Sequence, residues 1–101
     1  MYFIYILYSP SSDLFYIGYT NEPQRRLDEH NHSPHTTYTS KHRPWQMAAI
    51  FQCGGSVAEA MQLERFIKRQ KSRRLIEQLC NPAFIPSGKL AQLVRVPHLR
   101  D

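Results

Sequence analysis

Cysteine is scarce in this chain: Cys53 and Cys80 are the only two in 101 residues, and neither sits in a CxxC or other close-spaced pattern. No disulfide framework is implied, and the expected state is two reduced thiols in a cytoplasmic protein. Long hydrophobic runs are missing as well. The run Tyr2 to Tyr8 has seven residues, whereas a bilayer span needs about 20. It also lacks the basic start and small-residue cleavage site of a signal peptide, so neither membrane insertion nor secretion is expected. At 101 residues there is little room for two independent cores. With 42% apolar and 21% charged residues the composition is that of one ordinary globular domain.

Acid is unevenly lacking. Residues 1 to 64 hold four basic and six acidic side chains, whereas residues 65 to 101 hold nine basic and two acidic. Arg65, Lys68, Arg69, Lys71, Arg73 and Arg74 fall within ten residues with no acid among them. That is the composition of a phosphate-contacting surface, although a solvated helix face has it too.

The apolar and β-branched run Tyr2–Tyr8, the turn formers Ser9–Asp13 and the similar run Leu14–Tyr19 predict an antiparallel hairpin. Asn21 is positioned to cap a short helix over Gln24–Asn31, with Pro23 in its first turn. Residues 32–44 are rich in Ser, Thr and Pro and read as a polar loop. Trp45–Phe51 predicts a third strand, closed by Gly54 and Gly55. Ser56 with Glu59 forms a capping-box pattern, and Ala60, Leu63 and Ile67 recur at helical spacing after it. Arg73–Leu79 predicts another short helix, stopped by Asn81 and Pro82. The expected fold is α/β: a small, mainly antiparallel three-stranded sheet flanked by helices, in the order ββαβαα. It occupies residues 1–80, with a tail over 81–101 whose Leu90, Leu93, Val94 and Val96 pack on the domain.

Several polar and aromatic residues share this framework at a telling spacing. Tyr5 lies in the first strand, and Tyr16-Ile17-Gly18 follows in the second. Arg26 and His30 lie one helical turn apart on one face, and Glu64 and Lys68 do the same on the longer helix. With the loop Thr39–Pro44, these elements resemble the GIY-YIG nuclease superfamily, and most closely its small stand-alone bacterial members. The resemblance runs from Tyr2 to about Leu79 and rests on Tyr5, Tyr16 to Gly18, Arg26 to Asn31, Thr39 to Pro44 and Glu64 to Lys68. The first glycine of the namesake motif is Phe3 here.

The resemblance implies a divalent-metal phosphodiesterase, an endonuclease acting on single-stranded or branched nucleic acid, DNA before RNA, in DNA processing or repair. The residue types suit that reaction, which needs an activated water, charge neutralisation at phosphorus and help for the departing oxygen. Either Tyr5 or Tyr16 is a candidate to take the proton from water. Arg26 can hold two phosphate oxygens through its planar fork, with His30 assisting and Lys68 adding positive charge. Glu64 is the candidate single protein ligand of Mg²⁺ or Mn²⁺, an ion that keeps most of its waters. Thr39, Ser40, Lys41 and Arg43 of the loop and Arg65, Arg69 and Arg73 of the basic run are candidate contacts to the nucleic-acid backbone.

Each residue taken singly also has an ordinary structural explanation. Tyr5 is then a strand aromatic, Gly18 a bulge, and Glu64 with Lys68 an exposed pair worth about 0.3 to 0.5 kcal/mol. The alternative for the whole chain is a nucleic-acid-binding module with an inactive site of this type. His30, His32, His35 and His42 fall within thirteen residues, but no cysteine joins them and the spacing fits no zinc motif.

Overall fold

The computed structural model describes residues 1–97. Its centre is β1 (Phe3–Ser9), which pairs antiparallel with β2 (Leu14–Thr20) on one side and β3 (Gln46–Gln52) on the other. Ile4 to Leu7 are all buried, because a central strand covered on both faces reads as a continuous apolar run. Ile4 and Ile6 face the larger core, and Tyr5 and Leu7 face a smaller one with Trp45 and the half-buried Tyr16 and Leu27.

Helix α1 (Pro23–His32) joins β2 to a loop holding a short 3-10 turn, Thr39–His42. The expected cap at Asn21 is not made. Glu22 occupies that position without a side-chain cap, and Pro23 starts the helix where a missing N–H costs nothing. Helix α2 (Val57–Arg69) is capped by Ser56, whose hydroxyl accepts from the Glu59 amide, and it buries Ala60, Leu63 and Ile67 in the larger core. Helix α3 (Arg73–Cys80) follows, capped by Ser72 and adding Ile76 and Leu79.

The sheet has four strands where three were expected. Residues Val94–Arg95 form β4, which pairs with Phe51 and Gln52 and makes the order β2-β1-β3-β4. The chain order is therefore ββαβααβ, all antiparallel. A two-residue strand has no alternation to read, and its pairing depends on a distant partner. Leu90 and Leu93 are buried in the larger core, but Val94 is 57% exposed, contrary to expectation, because β4 lies at the sheet edge. The last four residues of the tail lie outside the described residues. No helix among the described residues is long and apolar enough to cross a membrane.

Candidate active site

The β1–β2 register sets Tyr5 directly opposite Gly18, and the Tyr5 ring lies where a side chain on Gly18 would be. A Cβ there would overlap the phenol, so the glycine is required by space and not by its backbone angles. Tyr5 is 1% exposed. Its hydroxyl meets Nε2 of His30 at 2.9 Å, and Nδ1 of the same ring meets the Thr39 hydroxyl at 3.0 Å. In the tautomer that donates from Nδ1 to Thr39, Nε2 accepts the Tyr5 O–H. Burial pushes the Tyr5 phenol up to about 12 against the pull of the Arg26 guanidinium. Burial and the Arg26 charge together hold His30 down at about 4, against the pull of Glu29. At neutral pH both groups are uncharged.

Tyr16 stands in front of this buried pair. His30 meets its ring edge-on at 4.8 Å, and the Tyr5 ring is 6.4 Å away. Tyr16, Arg26, Glu29, His30 and Tyr38 line a cleft of about 310 Å³. Arg26 enters it from α1 and binds Glu29 at 2.9 Å across one helical turn. From the opposite sheet face, α2 brings Lys68 to 5.7 Å from the centre of the Tyr16 ring, with Glu64 Oε2 3.5 Å from the Lys68 ammonium. β2 is an edge strand, so the contributions of α1 and α2 meet at its free edge. Tyr5, Tyr16, Arg26, His30, Glu64 and Lys68 thus form one neighbourhood.

The loop residues serve the fold more than the surface. Thr39 is 6% exposed, its hydroxyl is held by His30, and its carbonyl accepts from the Trp45 indole at 2.8 Å. Arg43 donates to the carbonyls of His30 and Ser33 at 2.6 and 2.8 Å, fastening the C-terminal end of α1. Ser40 donates to the Thr37 carbonyl, and Lys41 is exposed. Asn31 exchanges two hydrogen bonds with the Trp45 backbone, at 2.6 and 3.0 Å, and joins α1 to the start of β3. Sequence reading assigned no role to Glu29 or Trp45, since neither stands at a spacing that marks it.

The basic run does not form one surface. Arg65 and Arg69 project from the outer side of α2, whereas Arg73 opens α3 and is ion-paired with Asp13 and Glu77 at 2.7 and 3.1 Å. The four histidines also diverge: His32 contacts the Asp28 carbonyl and His42 contacts Ser12.

The family model described as the GIY-YIG catalytic domain matches residues 1–77. The chain belongs to the GIY-YIG family. It is 40% identical over 78 residues to the structure-specific endonuclease subunit SLX1 of Meyerozyma guilliermondii, a match covering 72% of this chain and 26% of that protein. It is 38% identical over 81 residues to a UPF0213 protein of Bacillus velezensis, covering 75% of this chain and 78% of that one. A UPF0213 protein of Haloquadratum walsbyi is 33% identical over 79 residues, with 86% of its length covered. The match thus spans about a quarter of the yeast subunit but most of the small bacterial and archaeal proteins. Within this GIY-YIG domain the matched region contains all six residues that gather at the β2 edge.

The donor chemistry of the domain fits a divalent cation at Glu64. Its carboxylate is a hard oxygen donor, and the side chain is 16% exposed, 3.5 Å from the Lys68 ammonium. Among the described residues no three His, Cys, Asp or Glu side chains gather to cage an ion. Glu64 would hold the ion in exchange for its contact with Lys68.

Proposed function

We propose that this GIY-YIG domain is a divalent-metal-dependent endonuclease that hydrolyses phosphodiester bonds of single-stranded or branched DNA in DNA processing or repair. The observation that carries the reading is the convergence of Tyr16, Arg26, Lys68 and Glu64 at the free edge of β2. These supply a proton acceptor, a phosphate-binding fork, a cation and a carboxylate. The description of yeast relatives as structure-specific endonuclease subunits agrees with it.

Tyr16 is the general base in this reading, since Tyr5 is buried and its phenol is raised to about 12. Tyr16 takes the proton from water as its phenolate, whose negative charge the transfer removes, with the cations Lys68 and Arg26 beside it. Arg26 binds two oxygens of the scissile phosphate, exchanging its exposed partner Glu29 for the substrate. His30, neutral and held by Tyr5 and Thr39, packs against Tyr16 and fixes the position of its ring. Mg²⁺ or Mn²⁺ held by Glu64 would neutralise charge on the phosphate and the departing oxygen.

The test is cleavage of labelled single-stranded, duplex and branched DNA with Mg²⁺, Mn²⁺ or EDTA. We expect metal-dependent cleavage that Glu64→Ala abolishes while the circular-dichroism spectrum stays that of the wild type. Cleavage retained by the folded variant overturns the metal assignment. Binding without cleavage under every metal condition overturns the enzyme reading in favour of an inactive binding module.

A further inference from the structure

The outer side of α2 carries a groove that the catalytic constellation leaves unused. Arg65 and Arg69 enter it from the helix, and Lys89 reaches it from the 3-10 turn Gly88–Leu90 of the tail. The Lys89 ammonium sits 5.4 Å from the centre of the Phe66 ring, which fixes its place in the groove. The groove measures about 450 Å³ and has one carboxylate, Glu59, in its wall. Among the described residues none of the three cations belongs to an ion pair. Three cations against one acid leave the groove with an excess of positive charge, which favours an anionic occupant.

We propose that this groove is a second phosphate site, one that holds the phosphodiester backbone of the nucleic-acid substrate beyond the point of cleavage. The inference rests on the nuclease reading above. Arg65 follows Glu64 directly, so on α2 Arg65 lies about 100° round from the catalytic carboxylate and Arg69 about 140°, the groove opening on the side of the helix away from it. A strand that leaves Glu64 across the outer side of α2 meets Arg65 before Arg69. Arg65 and Arg69 are one turn apart, about 6 Å along the axis, a step that neighbouring phosphates of an extended strand can follow. Two arginine forks suit phosphate geometry, and Lys89 adds a point charge. An acidic protein segment is the weaker fit, because such contacts depend on buried apolar anchors. Here Phe66, the aromatic residue of the groove, is covered by Lys89.

The measurement is binding of a fluorescent single-stranded oligonucleotide across a salt series, in EDTA to prevent turnover. The groove variant is Arg65→Ala with Arg69→Ala and Lys89→Ala, all at exposed positions. The control removes three other exposed charges through Arg25→Ala, Lys71→Asn and Arg74→Ala. Loss of three phosphate contacts should flatten the log–log salt slope by about two, at roughly 0.7 per phosphate for a single strand. The control should flatten it by less than half as much. Lys89→Ala alone should account for about a third of the groove effect. Equal flattening in both triple variants, or none in the groove variant, overturns the proposal. So does a polyglutamate peptide that binds the groove more tightly than an oligonucleotide of equal charge. Cleavage by the wild type with Mg²⁺ or Mn²⁺, run in parallel, tests the nuclease reading separately. Its absence, with the groove effect intact, overturns that reading and leaves a nucleic-acid-binding groove.

Discussion

Arg26 and Glu29 hold each other at the mouth of the cleft with side chains 41% and 46% exposed. An exposed pair of this kind is worth about 0.2 to 1 kcal/mol, and a substrate phosphate must replace it. Glu29→Gln is therefore expected to lower KM about two- to fivefold by freeing Arg26 and removing a repelling charge. An unchanged or higher KM would show that Glu29 positions Arg26 instead of competing for it. His30 makes a second prediction, on stability. Its value is about 4 in the folded protein against the ordinary 6.5. Between those values the unfolded chain binds a proton that the folded chain refuses, so stability rises with pH. The contribution is fully present above about pH 6.5 and is lost as pH falls toward 4, with a size of at most about 3 kcal/mol. Urea midpoints at about pH 7.5 and about pH 5 should differ more in the wild type than in His30→Gln. Equal differences would remove His30 as the cause.

Strand pairing and helix docking turn these side chains into a site. The β1–β2 register puts Tyr5 over Gly18, and α1 then supplies His30 to the same phenol. Gly18→Ala forces the Tyr5 ring to move, at a cost of about 1 to 3 kcal/mol for an overpacked position. The displaced ring pulls away from His30, and cleavage should fall about 10²-fold, the scale of a small misplacement at a reacting centre. The check is the rate measured at a denaturant-free temperature where the variant is fully folded. A rate within threefold of wild type would mean that the Tyr5–His30 contact does not position Tyr16. At its other end α1 is held by Asn31 on Trp45 and by Arg43 on two carbonyls, so the loop braces the helix.

Across the whole molecule the tail closes the structure. Leu90 and Leu93 are each 5% exposed in the larger core, Val96 donates to the Ile50 carbonyl at 2.9 Å, and the Arg95 guanidinium covers the Phe51 ring at 4.7 Å. Burial of two leucines contributes about 3 to 6 kcal/mol, against a total of about 5 to 15 for a domain. A chain ending at Asn81 should lose stability of that order in urea, and with it Lys89 of the outer groove. A truncated chain with the wild-type midpoint would show that the tail adds nothing to the core.

Local pattern determined much of this protein. The apolar run Tyr2–Tyr8, the turn formers after it, the Ser56 cap and the Ala60, Leu63 and Ile67 stripe specify a hairpin and a helix by rules that act within a few residues. The spacing of Arg26 with His30 and of Glu64 with Lys68 placed each pair on one helix face by the same logic. What that logic cannot reach is which faces meet. Packing alone decided that Tyr5 is sealed behind Gly18 and Tyr16 left on the cleft, that Thr39 and Arg43 turn inward, and that Val94–Arg95 joins the sheet. It also divided the basic run, because the chain turns between α2 and α3 at Lys71, whose φ is 47°. Arg73 then points to Asp13 while Arg65 and Arg69 meet Lys89. Residue type and period are carried by neighbours in sequence, whereas burial, hydrogen-bond partners and charge grouping depend on residues brought together from far apart in the chain.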